Sequence, residues 1–487
     1  MSQTAKPSPE DSQPENSPTQ ETRTQETLPG DFVDFLAENA GRFEEELKEW
    51  LRIASISSDS SAKDDVHRAA EWVKNKFEAA GLKTESIPTA GFPLIYAETP
   101  PPAAADGKLP PVALVYGHYD VQPPEPLDLW TSPPFEPDVR DGKIYARGAT
   151  DDKGQVLTHV LAVCEWLSSG RTLPIQIKFL IEGEEEVGSA NLEEHLPRLS
   201  DKLACDVVVV SDSSQYGPGR PAITCGLRGI ATYELFIDGP SHDLHSGSFG
   251  GAVMNPAIAL CQMMASMIRP DGTIAVEGFY DDVLPIPEIE RDSWKQLGSD
   301  DEEFARSVGA KQLAGEAGYT TDERRWARPS FDINGLTSGH QGEGVKTVLP
   351  AKASAKFSHR LVPNQDPVKI TQKLQEHFAR HCPTGVTFEL KPDHGAGAML
   401  ADANSPYTKA ASAAVESAFG VAPVMIREGG SIPILARFQE VLDCDVLLLG
   451  WGQNDDAAHS PDEKFALEDF HRGIRASAGL WQQMGRS

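Results

Sequence analysis

The stretch VALVYGHYD, residues 112–120, decides the fold class. Five apolar residues run without the alternation of a half-exposed strand. That pattern reads as a strand covered on both faces, in the parallel sheet of an α/β layer. Glycine, His118 and Asp120 follow at once. The arrangement recurs. IQIKFLI (175–181) leads into EGEEE (182–186), which carries Glu182, Glu184, Glu185 and Glu186, and VVVV (207–210) leads into SDS (211–213) with Asp212. In open α/β sheets, ligands bind beyond the carboxyl ends of the strands. Three such ends bearing imidazole and carboxylate therefore converge on one site. RGATDDKG (147–154) carries Asp151 and Asp152 into a helix predicted over 154–167, and DDAAHSPD (455–462) carries His459.

Outward from this centre, helices are expected at about 32–54 and 64–80, the second stopped by Gly81, a favourable residue just past a helix end. A short buried strand is expected at 446–449. After about residue 226 the pattern changes, and IATYELFID (230–238) alternates like a half-exposed strand. A helix at 256–267, strands at 346–349 and 353–360, a helix at 367–380 and a strand at 386–390 complete a β-α-β-β-α-β, ferredoxin-like order. A long acidic insertion at about 270–340 interrupts it. The expected organisation is a tail over 1–28, an α/β domain in two parts (29–225 and 398–487), and a smaller α+β domain inserted at 226–397.

The chain has 487 residues, 73 acidic and 44 basic, for a net charge of −29. Such a surface repels nucleic acid and anionic membranes, so neither is expected as a main partner. Six cysteines without a C-x-x-C pair read as reduced thiols, no basic-then-apolar leader opens the sequence, and no stretch approaches the roughly 20 apolar residues of a membrane span. A cytoplasmic protein is expected. Residues 1–28 hold three apolar residues, Met1, Ala5 and Leu28, too few to offset the entropy of ordering, so a disordered tail is expected there.

A single acid after a strand is ordinarily a helix cap or a solvated turn, and a run of glutamates is ordinarily a solvated face. Several at strand and helix ends are harder to dismiss. Gathering them without a cation is opposed by like-charge repulsion and desolvation, and a pair of divalent ions removes that opposition. Imidazole and carboxylate without thiolate suit zinc, manganese or cobalt. Adjacent Glu185 and Glu186 can take different roles, one as ligand and one as proton carrier. Spacing alone leaves open which glutamate of the run is the base.

Nine stretches together carry a resemblance: GHYDVQP (117–123), W-x-x-x-P-F (130–135), GKIYARGATDDKGQ (142–155), EGEEEVGS (182–189), SDSS (211–214), HSGSFGG (245–251), HRLVPN (359–364), REGGSIP (427–433) and AHSPDEKF (458–465). The chain resembles metallopeptidase family twenty, and most of all its carnosinase-like dipeptidase branch. The resemblance implies a zinc-peptidase-like catalytic domain with a mixed, mostly parallel sheet, and a ferredoxin-like lid that pairs two copies into a homodimer. It implies that His118 and Asp212 bind one metal ion, Glu186 and His459 a second, and that Asp151 bridges them, with zinc foremost. By the same resemblance Glu185 is the general base, Asp120 orients His118, and the Asp151–Asp152 peptide is cis. Glu428, Gly429, Gly430 and Ser431, at the start of a helix, with Arg360 and His394, hold the carboxylate of a small peptide substrate. His245 assists the reacting carbonyl from the partner subunit. A deacylase or desuccinylase of N-acyl amino acids would use the same site. An inactive binding relative predicts gaps in the ligand set, and a phosphoryl hydrolase predicts basic residues beside the metals; neither pattern is present.

Overall fold

In the computed structural model, which describes residues 28–103 and 109–486, Val112–His118 lies inside a nine-stranded sheet. The order is Lys83–Ile87, Leu94–Glu98, Gln176–Glu182, Val112–His118, Val207–Val210, Asp445–Gly450, Ala222–Leu227, Met399–Leu400, with Val424–Glu428 also pairing with Ala222–Leu227. Val112–His118 runs parallel to both of its neighbours, and Val207–Val210 runs parallel to Asp445–Gly450. Towards the edges the pairing becomes antiparallel. The apolar run is explained by its two faces. Ala113 and Val115 enter a core with Trp50, Val160, Trp451 and Trp481, while Leu114 and Tyr116 enter another with Leu192, Ile434 and Phe438. Helix Lys153–Ser168 is buried at every residue from Lys153 to Trp166, which fixes the turn preceding it firmly against the sheet.

The second unit is a four-stranded antiparallel sheet in the order Ser330–Ser338, Lys352–Leu361, Gly229–Asp238, Thr387–Ala396. Helices Pro256–Ala265 and Pro367–His381 cover one face through Leu260, Met263, Ile370 and Leu374. This is the expected ferredoxin-like order, but one strand differs. The predicted strand at 346–349 is only a two-residue ribbon, Val348–Leu349 against Leu244–His245. Its place in the sheet is taken by Ser330–Ser338, inside the segment read as an insertion. That edge strand is largely exposed and carries an irregularity between Ile333 and Gly335, so it lacks the alternation that announces a strand.

One further expectation is corrected. The predicted helix over 32–54 is two helices, Gly30–Glu38 and Ala40–Leu51, hinged at Asn39, whose side-chain amide donates back to the Phe35 carbonyl. The acidic segment at about 270–340, expected as an insertion in the smaller domain, also reaches the large sheet. Trp294 and Leu297 of helix Glu288–Leu297 and Trp326 of helix Thr321–Ala327 pack against Ala222 and Ile426 of the large sheet. The tail expected over 1–28 lies outside the described residues except for Leu28, which is buried in the main core.

Candidate metal centre

The carboxyl ends of Val112–His118, Gln176–Glu182 and Val207–Val210 meet the turn before helix Lys153–Ser168 and the loop carrying His459. Two groups of potential ligands form there, His118 with Asp151 and Asp212, and Asp151 with Glu186 and His459; within each, the ligand atoms lie within 4.8 Å of one another. Asp151 belongs to both. Its Oδ1 is 3.2 Å from His118 Nε2 and its Oδ2 is 2.9 Å from His459 Nε2. His459 Nε2 also lies 3.3 Å from Glu186 Oε2. All five residues expected as ligands are thus brought together, and the Asp151–Asp152 peptide is cis, as expected.

Supporting contacts fix this set. His118 is fully buried, with Nδ1 3.1 Å from the Asp120 carbonyl and 3.4 Å from Asp120 Oδ1. Asp120 Oδ2 accepts from the Glu186 amide at 3.2 Å, so one carboxylate positions a residue of each group. Asp152 Oδ2 accepts from the His118 amide at 3.3 Å. Two residues of equal weight were not singled out by the sequence reading. Gln122 donates its backbone N–H to Glu186 Oε1 at 3.1 Å and its side-chain amide to Oε2 at 2.8 Å. Glu463, fully buried, accepts from the amides of Gly148, Thr150 and Asp151 and from Arg147 Nη1. Both sit inside quoted motifs, GHYDVQP and AHSPDEKF. A polar residue in a motif with no role as ligand or base was the available signal.

The glutamate run separates by contact. Glu182 accepts from the Tyr116 and Ser189 hydroxyls, and Glu184 from the Asn191 side-chain amide and the Phe92 backbone. Both are committed to the scaffold. Glu186 belongs to a ligand group, and Glu185 lines the cleft of ≈ 520 Å³ that also holds Asp151, Asp212 and His459. Burial, then repulsion by Asp212, Asp151 and Glu186 against the opposing pull of His118, holds the Glu185 carboxyl well above the usual carboxylate range. Burial and Asp151 push Asp212 up to about 7. Among the described residues, no lysine or arginine forms an ion pair with Asp151, Glu185, Glu186 or Asp212. His118 Nε2 is buried without a hydrogen-bond partner. An orphaned imidazole nitrogen facing uncompensated carboxylates fits divalent cations, and the donor set without thiolate fits zinc, manganese or cobalt.

Of the residues expected to hold substrate, Glu428, Gly430 and Ser431 line this same cleft. Gly429 and Arg360 line a second cavity that shares Ser214, Glu428, Gly430 and Asn454 with it. Arg360 Nη1 donates to Ser431 Oγ at 2.9 Å. His394 is exposed, in an irregularity of strand Thr387–Ala396, and lines neither cavity. His245 is also exposed. Its Nδ1 accepts from the Gly247 amide at 3.1 Å, and within one chain it does not reach the cleft.

The profile of peptidase family M20/M25/M40 matches residues 114–483. The chain is 34% identical over 468 residues to the Cys-Gly metallodipeptidase DUG1 of Saccharomyces cerevisiae, covering 92% of this chain and 96% of the relative. It is 31% identical over 471 residues to the human Beta-Ala-His dipeptidase, covering 91% and 90%. Among solved structures, the metallo-carboxypeptidase Sso-CP2 of Sulfolobus solfataricus superposes with a TM-score of 0.80 at 31% identity, covering 91% of this chain and 99% of that one.

Proposed function

The chain belongs to peptidase family M20/M25/M40 and is a metal-dependent hydrolase of the dipeptidase type; we propose that it works with two divalent ions, zinc foremost, and cuts the amide bond of a dipeptide. The observation that carries this reading is Asp151, which lies within reach of His118 on one side and of His459 on the other. His118, Asp151 and Asp212 would hold one ion and Asp151, Glu186 and His459 the other. Bound there, the ions supply Lewis acidity, polarising the scissile carbonyl and easing deprotonation of water at neutral pH.

The chain's own residues do the rest. Glu185, free of the scaffold contacts that occupy Glu182 and Glu184, takes a proton from the attacking water and passes it to the leaving amine. Asp120 holds His118 in its orientation, and Gln122 holds both oxygens of Glu186. Ser431 and Arg360, with the backbone at Gly429 and Gly430, take the carboxylate of the departing residue. That contact measures the distance from the metals to the substrate's C-terminus. His245 reaches the reacting carbonyl from the partner of a homodimer. The protein's place is the cytoplasm, and among its described residues no helix is long and apolar enough to cross a membrane.

A side-by-side assay tests the reading. Dipeptides are cut, while N-acetyl and N-succinyl amino acids and long peptides are cut slowly or not at all. Faster turnover of the acylated amino acids would make the protein a deacylase, and equal rates on long peptides would remove the distance constraint.

A further inference from the structure

A cavity of ≈ 890 Å³ opens off the metal cleft. Arg228 and Arg360 both line it, and the segment Gly429–Ser431 lies between them. Arg228 Nε donates to the Gly429 carbonyl at 3.3 Å, Ser431 Oγ donates to the Arg228 carbonyl, and Arg360 Nη1 donates to Ser431 Oγ at 2.9 Å. Burial first, and then the Arg360 charge, push the Arg228 guanidinium down to about 10. Burial also lowers Arg360, with Asp332 opposing. Two cations thus line one cavity and are linked through Ser431, in a protein with 29 more negative than positive charges. Among the described residues, neither forms an ion pair with a carboxylate. Asp332 acts on both from a distance only, and the other contacts of Arg228 are the carbonyls of Arg324 and Arg328.

The remaining charges of the cavity do not meet this need. Asp300, Asp301 and Glu303 stand at its exposed rim, and Asp300 is spent on the amides of Glu302 and Glu303. Asp322 receives the Ser299 hydroxyl and lies 3.7 Å from Arg325, which also stacks over Phe304. Glu428, at the junction with the metal cleft, is half-buried, and desolvation pushes its carboxyl up to about 7 against the Thr224 hydroxyl. What is left without a counter-charge is the pair Arg228 and Arg360. Paired half-buried guanidiniums suit carboxylates, through charge-assisted and often forked hydrogen bonds.

One carboxylate is accounted for if Arg360 and Ser431 hold the substrate's C-terminus, on the dipeptidase reading above. We infer that Arg228 forms a second anion subsite, and that the enzyme prefers dipeptides whose C-terminal residue is acidic, aspartate or glutamate. The side-chain carboxylate of that residue enters the larger cavity and meets Arg228.

The test uses the full-length, zinc-loaded protein with Ala-Glu, its neutral isostere Ala-Gln, and Ala-Gly. Ala-Glu is expected to exceed Ala-Gln in kcat/KM by at least about tenfold, the order of one charge-assisted hydrogen bond. The excess should shrink as salt rises. Arg228→Gln should collapse the Glu-to-Gln ratio towards one, and Arg228→Lys, which keeps the charge without the fork, should give an intermediate ratio. Because Arg228 also ties down three carbonyls, the wild-type ratio is read first and does not depend on either variant folding. Equal rates on Ala-Glu and Ala-Gln, or an unchanged ratio in a folded Arg228→Gln protein, would overturn the acidic subsite while leaving the dipeptidase reading intact. Failure to cut any of the three would overturn both.

Discussion

Glu463 accepts the backbone N–H of Asp151 at 3.2 Å. The same carboxylate takes the amides of Thr150 and Gly148 at 3.0 Å each and Arg147 Nη1 at 2.6 Å, with Glu463 and Arg147 respectively 0% and 1% exposed. Glu463 lies four residues beyond His459. One loop therefore carries a candidate ligand of one group and holds the turn that presents Asp151, the carboxylate common to both groups.

Replacing Glu463 with glutamine puts an amide donor where only donors point, and leaves Arg147 buried without its counter-charge. Breaking a buried pair in this way typically costs about 3–5 kcal/mol. Glu463→Gln should therefore lower the melting temperature clearly and reduce zinc retention. Unchanged melting and unchanged metal content would show that the turn does not depend on this carboxylate.

Gln122 makes a more selective prediction. Its side chain touches Glu186 and nothing in the other ligand group, so Gln122→Ala should leave the fold intact. It should weaken binding of one ion of the two by the roughly 10- to 100-fold typical of a lost supporting contact to a ligand. Metal titration followed by calorimetry should show one altered and one unaltered class of site. Uniform weakening of both would reject the assignment of Gln122 to Glu186 alone.

For the base, Glu185→Gln should retain both ions and lower turnover by the roughly 10²–10⁴-fold of lost proton transfer. Glu184→Gln keeps an acceptor for the Asn191 amide and should change turnover little. If Glu184→Gln proved the inactive variant and Glu185→Gln the active one, the roles would be reversed.

The shared active site is tested by mixing two inactive proteins, His245→Ala and Glu185→Gln. If His245 serves the neighbouring subunit, a mixed dimer contains one site with both residues normal, and activity returns. A mixture whose subunits demonstrably exchange yet stays inactive would confine His245 to its own chain.

The large sheet and the strand-end candidates His118 and Asp212 were legible in short-range pattern, whereas the roles of Asp151, Glu186 and His459 came only with the family resemblance. Uniform apolar runs such as 112–116 mark strands covered on two faces, and the polar residues directly after them are placed by the strand itself. Ser330–Ser338 was not legible: as a mostly exposed edge strand with an irregularity at Gly335 it has no reason to alternate. The segment around Trp294 and Trp326 was read as an acidic insertion because its exposed residues dominate its composition, while the two tryptophans that dock it are isolated. Glu185 could not be told from Glu184 by spacing, since the distinction rests on Asn191 and Phe92 lying beside Glu184. Arg228, between a buried strand and the ferredoxin-like sheet, shows its lack of a carboxylate partner only in three dimensions.

On the proposed mechanism, two ions sharing Asp151 make this protein a hydrolase. The direct measurement is to strip the protein with a chelator, restore zinc in steps, and record bound metal and dipeptide hydrolysis on the same samples. The stripped protein should not hydrolyse dipeptides, full activity should return at about two zinc ions per chain, and Asp151→Ala should lose both metal and activity. Saturation at one ion per chain, or hydrolysis that survives complete removal of metal, would contradict that mechanism.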